Sequence, residues 1–377
     1  ASDVYKRQKQ HSEFVIIGGG VLGASLAYQL SLHGREVLLL EQNEICSGTS
    51  SGTVAWIGPF DRQPLFMEEL AIRSFLRLFL LEHELDRPFE FTVTGSLKPL
   101  YTEKDIAAAQ KAAEMGAAAG YDVVRILAPE EAWEKEPAMR GNGMIAARYE
   151  PYSAHINPFL LVDSYIQTAK RLGAEVCTFT KVLDLEISDR RITALLTDRG
   201  RVTAEHVICC AGLWSYEIGE KLGIPAPVRP NRGCCLVTEK LPPILHTFAS
   251  SAHQTAHGNI IFGLNSEDLP AGTHDTTVPA EALQTAVRQA LREFPALSGV
   301  NIIRSYAGLR CKPVDGLPII GGDEEKLQNF GYFLMHSAYS YTAGISPLAA
   351  AYFMGQVDAE DPLLAQLHYR RFLYGGN

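Results

Sequence analysis

Long apolar runs are missing from this chain. No stretch approaches the roughly 20 residues needed to cross a bilayer, which excludes a membrane-spanning helix. Positive charge is also scarce. Lys and Arg number 34 against 43 Asp and Glu, and the net charge of −9 disfavours non-specific attachment to nucleic acid or an anionic membrane. The opening "ASDVYKRQKQHS" is polar and basic with no apolar core behind it, so it does not read as a secretory signal; residues 1–12 are expected to form a disordered leader. The seven cysteines are odd in number and lack metal or CxxC spacing. Two adjacent pairs, Cys209–Cys210 and Cys234–Cys235, lie in strand-like runs where neighbours point to opposite faces. Buried reduced thiols in a cytoplasmic protein are the expectation. Internal repeats and low-complexity linkers are absent too, which excludes a solenoid.

What is present is 377 residues, 46% hydrophobic and 20% charged, enough for two domains and a large core. The stretch "EFVIIGGGVLGASLAYQLSLHGREVLLLEQ" (13–42) reads strand, glycine turn, helix, strand. Phe14 to Ile17 and Val37 to Leu40 are the two apolar strands. Between them Ala24, Ala27, Tyr28 and Leu30 give the helix a small-residue face, and Gly34 ends it. Residues 66–85 form a helix with a broad apolar face, and 89–102 alternates like a strand. Helices are expected at 103–119, near 130–136, from 156 onward and at 280–294, with strand runs filling 176–215 and 225–304.

Gly18, Gly20 and Gly23 make G-x-G-x-x-G between a strand and a helix. Gly18 makes the tight turn, Gly20 lets the backbone approach a pyrophosphate, and Gly23 permits close helix–strand packing. The helix N-terminus offers N–H groups and a positive dipole end to phosphates. Glu41 follows Gly23 by 18 residues, at the end of the second strand, where an acid binds ribose hydroxyls. An acid there repels a 2′-phosphate and disfavours NADP. The loop "SGTSSGT" (47–53) and the turn "CAGLWS" (210–215) allow further close backbone approach, so one long ligand served from three segments is expected, FAD or NAD.

With "IIGGGVLGASLAYQL", "SGTSSGT", "TGSL", "CAGLWS" and "GLRCKPVDGLPIIG" in this order, the chain resembles the D-amino-acid oxidase superfamily of FAD enzymes. The likeness is to its glycine oxidase, sarcosine oxidase and opine or hydroxyproline dehydrogenase branch, and runs from about Glu13 to Gln356. It implies an α/β fold: a Rossmann-like FAD-binding domain from 13–85, 143–225 and 305–363, with a discontinuous α+β substrate domain on a mainly antiparallel sheet from 86–142 and 226–304. It also implies roles residue by residue. Val21 and Leu22 flank the pyrophosphate, while Glu41 with Gln42 holds the adenosine end and Val182 contacts adenine through its backbone. Thr49, Ser50, Val54, Ala55 and Trp56 line the flavin side. Ala211, Gly212 and Trp214 approach it from the "CAGLWS" turn. A C-terminal loop from Ala338 to Gly344, including Ser340, Thr342 and Ala343, passes over the isoalloxazine.

Arg310 stands in a largely apolar run before a Pro–Asp–Gly turn, with no acid nearby in sequence. An arginine keeps its charge, so a partner anion is expected. In glycine-oxidase-like relatives the arginine before "DG" binds the substrate carboxylate, and Arg310 matches it; an internal salt bridge to a distant acid is the alternative. The resemblance implies oxidation of a carbon–nitrogen bond beside that carboxylate, with hydride passing to flavin N5 and water hydrolysing the imine. Tyr339 and Tyr341 are expected to line the flavin side, or else to pack. His253 and His257 are expected to be solvated loop residues. No histidine occurs between Glu41 and Gly58 and Cys311 is not at the relatives' linkage position, so the FAD is expected to be non-covalent.

Several positions depart from the family pattern: Ala338 and Thr342 stand where His and Gly are usual, Ser340 where glycine oxidase has a second arginine, Gly52 where an arginine is common, and Ile261 where the sarcosine oxidase branch has lysine. The expected partner is a small carboxylate-bearing amine. Other expectations are a 2-hydroxy acid substrate, a homo-oligomer, or a flavin-binding subunit working with electron-transfer partners.

Overall fold

The computed structural model describes residues 10–373, and the part of the expected leader before residue 10 lies outside them. The first strand, His11–Ile17, begins earlier than the apolar run Phe14 to Ile17 because His11 and Ser12 already pair with Thr203 and Ala204 of the neighbouring strand. The leader expected to reach residue 12 is therefore corrected at its end. His11–Ile17 is the centre of a sheet. It runs parallel to Val37–Leu40 on one side and to Gly200–Cys209 on the other. Glu175–Cys177 and Phe330–Leu334 extend the parallel part; Val182–Ser188, Arg191–Thr197 and Ile319–Gly321 add antiparallel strands. "FVII" and "VLLL" are apolar at every position because both sheet faces are covered. Helices Val21–Leu32, Leu65–Glu84, Pro158–Arg171 and Ala338–Phe353 fill one face around Phe14, Ile16 and Leu39. The other face buries Val15, Ile17, Leu38 and Leu40 against Leu195, Leu213 and Tyr332.

A second sheet is ordered Ile302–Pro313, Val228–Lys240, Asn259–Asp268, Ala252–Gln254, Phe248–Ala249, Ser96–Leu100, Ala146–Glu150, Arg125–Leu127. It is antiparallel except where Phe248–Ala249 meets Ser96–Leu100. Ala146–Glu150 and Ile302–Pro313 both hydrogen-bond into this sheet. The run 89–102 is not one strand but two. Thr92–Val93 joins a small sheet with Trp56–Ile57 and Ala154–His155, and Ser96–Leu100 joins the large one. No helix among the described residues is long and apolar enough to cross a membrane.

The expected flavin loop from Ala338 to Gly344 is instead the first two turns of the helix Ala338–Phe353. The reason is packing. A Cβ on Gly344 would stand 2.9 Å from the Ser74 nitrogen and 3.1 Å from the Leu70 carbonyl oxygen, so this glycine lets the helix lie against Leu65–Glu84.

Beyond that helix, His368 is buried at Gly321 and bonds through Nε2 to the Tyr352 hydroxyl at 2.9 Å and to Glu324 at 3.1 Å. Tyr352 also donates to Glu324. Burial would raise the Glu324 carboxyl, but the hydrogen bonds from His368 and Tyr352 outweigh it and hold the group down to about 2, against 4.5 for an unperturbed glutamate. A depressed acid stabilises the fold above its unfolded value and loses that contribution as pH falls toward its folded value. Stability is therefore expected to drop between about pH 4.5 and pH 2. Glu324→Gln should flatten that drop in a urea-unfolding series while lowering stability at neutral pH; an unchanged pH profile would remove Glu324 as its source.

Candidate active site

Strand His11–Ile17 ends at Gly18, whose φ of +109° suits glycine, and the chain turns directly into the helix Val21–Leu32. A Cβ on Gly23 would lie 1.9 Å from the Gly18 carbonyl oxygen, so Gly23 does not line a ligand cavity but seats the helix on the turn. Glu41 braces the same turn. Its carboxylate accepts from the Gly19 N–H at 2.7 Å and from the Asn43 N–H at 2.8 Å. Ser50 accepts from the Val21 N–H at 3.0 Å, carrying loop 47–53 onto the helix N-terminus.

Together these elements border a cavity of ≈ 610 Å³. Gly18, Gly20, Val21 and Leu22 line it, with Glu41, Gln42, Val182, Thr49, Ser50 and Ala338. Ala211, Gly212 and Trp214 line it too. His274 reaches over from the loop after Asn259–Asp268, stacking on Trp214 at 4.9 Å and pairing with Glu217 at 2.6 Å. That long-range contact has no signal in the sequence. Glu41→Ala is expected to weaken dinucleotide binding by about 10- to 100-fold, because two backbone donors at the cavity's glycine turn and its neighbour lose their acceptor; a flavin titration of apoprotein measures it.

The other expected cofactor residues lie elsewhere. Val54 and Ala55 line a second cavity of ≈ 1020 Å³, which shares Ser47, Gly48, Thr49 and Trp214 with the first. Trp56 stacks on Phe248 at 5.5 Å with the Arg62 guanidinium 4.9 Å from its ring. Ser340 Oγ bonds the Trp56 carbonyl at 3.4 Å, Thr342 and Ala343 are buried, Gly344 packs against Leu65–Glu84, and none of the four borders either cavity. Tyr339 donates its hydroxyl to the Ser50 carbonyl at 2.9 Å and supports the cofactor loop from behind. Tyr341 is buried with Arg62 at 5.9 Å from its ring. Both tyrosines pack, and neither borders a cavity.

Arg310 lies on the strand Ile302–Pro313 opposite Asn231. Its guanidinium crosses the neighbouring strand at Gly233, where a Cβ would come within 2.4 Å of Nη2. Nη1 donates to Asn231 Oδ1 at 2.9 Å, and Asn231 is fixed in turn by Asp268 at 2.6 Å and Ser266 at 2.9 Å. Among the described residues no carboxylate pairs with Arg310. Burial, with Arg310, Lys312 and Arg62, pushes the His336 imidazole down to about 4, so it is neutral at neutral pH. The next residue, Cys311, borders the dinucleotide cavity, and the Arg310 side chain leaves the strand on its opposite face. Sequence reading missed Asn231 and His336; the Asn–x–Gly spacing opposite Arg310 was the available signal.

His253 is not a solvated loop residue. It is 3% exposed in the strand Ala252–Gln254, stacked on His155 at 4.7 Å, whereas His257 is exposed.

Comparison with known proteins agrees with this geometry. Residues 13–354 match the DAO family model, described as FAD dependent oxidoreductase. Glycine oxidase of Bacillus subtilis (strain 168) is 27% identical over 330 residues, covering 84% of this chain and 86% of that protein. The hydrogen cyanide synthase subunit HcnC of Pseudomonas protegens is 28% identical over 386 residues, covering 86% and 88%. In fold, the chain is similar to the crystal structure of L-proline dehydrogenase from P. horikoshii, with TM-score 0.87, 24% identity and coverage of 97% and 99%. The dinucleotide cradle, the two sheets and these similarities lead to one assignment: the chain belongs to the DAO family of FAD-dependent oxidoreductases.

Proposed function

We propose that this chain oxidises the carbon–nitrogen bond of a small amino acid or N-substituted amino acid, and that its FAD is held without a covalent bond. The observation that carries the substrate class is Arg310, a fixed cation with no carboxylate partner among the described residues, next in the chain to a residue that borders the cofactor cavity. A substrate carboxylate supplies that partner, and a bidentate guanidinium pair sets orientation as well as charge. The relatives named glycine oxidase and L-proline dehydrogenase support an amino acid.

The residues present fit FAD. The glycine turn leaves room for a pyrophosphate, Glu41 and Gln42 line the same cavity and would hold the ribose, and Trp214 and Thr49 border both cavities. When bound, FAD supplies the acceptor for the two electrons and hydrogen that leave the substrate carbon. The chain's own work is positional. Arg310 grips the carboxylate, Asn231 fixes the guanidinium, and neutral His336 adds no competing charge. The oxidised carbon–nitrogen bond is then an imine, which water hydrolyses.

Non-covalent binding is supported by the thiols. Burial pushes Cys311 and Cys46 up to about 12, which keeps both protonated and poorly nucleophilic. Acid precipitation should release all yellow colour into the supernatant; colour retained in the pellet would overturn this.

Anaerobic bleaching of the flavin band by D- and L-amino acids, sarcosine, proline, opines or 2-hydroxy acids tests the reaction. Bleaching by amines supports the proposal, while bleaching by 2-hydroxy acids alone overturns it, and admitting air separates oxidase from dehydrogenase. The relative named as a subunit favours one second reading, a chain that turns over only with partner subunits. Bleaching restored by added partners, and not before, would select it.

A further inference from the structure

The second cavity, ≈ 1020 Å³, is lined by apolar groups, among them Val54, Ile156, Val237 and Ile261, and by His253 and Thr255. His253 Nδ1 and Thr255 Oγ1 are both buried and have no hydrogen-bond partner among the described residues. Buried polar atoms normally find partners, and these two orphans belong to residues that line one cavity, the kind of place a ligand's polar group fills.

The histidine is held rigidly. It stacks between His155, at 4.7 Å, and Phe248, at 5.8 Å, and Phe248 stacks on Trp56 at 5.5 Å. Burial, with His155 beside it, pushes His253 down to about 3, so its ring is neutral and offers one donor and one acceptor. Tyr306 and Gly308 also line the cavity, and Arg310 is the next residue on that face of the strand, about 7 Å beyond Gly308.

We infer that this cavity receives the substituent of the substrate, and that His253 and Thr255 read a hydrogen-bonding group at its tip. The substrate class is then an amino acid or N-substituted amino acid larger than glycine, whose substituent is apolar along its length and polar at its end. The inference rests on the amino-acid reading above, which supplies the carboxylate at Arg310.

Isosteric pairs that differ in one polar group test it: threonine against valine and tyrosine against phenylalanine, in both enantiomers, and N-(2-hydroxyethyl)glycine against N-propylglycine. Anaerobic bleaching rates are measured on the flavin-loaded protein and on His253→Phe, which keeps a ring in the stack and removes both nitrogens. The wild type is expected to favour the polar member of at least one pair by about tenfold or more, since a site built to hydrogen-bond a group rejects its absence. His253→Phe should bring that ratio close to one, His253→Gln should restore part of it, and Thr255→Val should lower it. Glycine reacting as fast as every larger compound, or an unchanged ratio in both His253→Phe and Thr255→Val, would overturn the inference and leave the amino-acid reading standing. Failure of every amine and amino acid to bleach the flavin would overturn that reading and this inference with it.

Discussion

Arg310→Ala is expected to raise KM for the carboxylate substrate by about 100- to 1000-fold, the usual consequence of truncating one partner of a desolvated charge pair. Flavin content should not change, because the guanidinium lies across Gly233 and Asn231 and does not border the cofactor cavity. Arg310→Lys keeps the charge and loses the paired donors, so it should fall between the two, about tenfold worse than the parent. The measurement is steady-state KM with flavin absorbance per protein recorded alongside. An Arg310→Ala protein with unchanged KM and full flavin would end the clamp account. One that had lost its flavin would instead place Arg310 in the cofactor's support. Asn231 gives a second handle, since it accepts from the guanidinium through Nη1, and Asn231→Ala should raise KM by a smaller factor.

Parts of this site were legible in the sequence for physical reasons. The strand–glycine–helix unit is legible because backbone proximity to a phosphate leaves little choice but glycine, whatever the rest of the chain does. Arg310 was legible because a permanent cation in an apolar strand needs an explanation from outside that strand. The C-terminal segment failed for a complementary reason. "AYSYTAG" has the Ser, Thr and Gly of a loop, and only the approach of Leu65–Glu84 to Gly344 shows why a helix carries a glycine there. His253 was misplaced because Ala252–Gln254 is too short to show a pattern, and its stacking partner His155 lies far away in the chain. Local backbone constraints can be read from sequence, and burial imposed by distant partners cannot.

Gly18 carries the second large effect. Its φ is +109°, and a Cβ there would fall 2.7 Å from the Cys210 carbonyl oxygen and 2.9 Å from Ala211 Cα. Neither neighbour can yield, since both are backbone at the end of the strand paired with His11–Ile17. Strain at such a φ costs about 1–3 kcal/mol, and overpacking adds about 1–3 kcal/mol more. Gly18→Ala should therefore part the two strand ends that border the dinucleotide cavity and yield colourless protein that takes up FAD weakly at best. Gly34→Ala is the control. It too has a positive φ, +71°, but nothing lies within 4 Å of the added Cβ, so it pays only the backbone strain and should stay yellow. Flavin per protein and thermal midpoints for the two variants separate steric closure of the cradle from general loss of stability. If both are equally pale, the loss is one of folding; if Gly18→Ala is as yellow as the parent, the turn is not where the pyrophosphate lies.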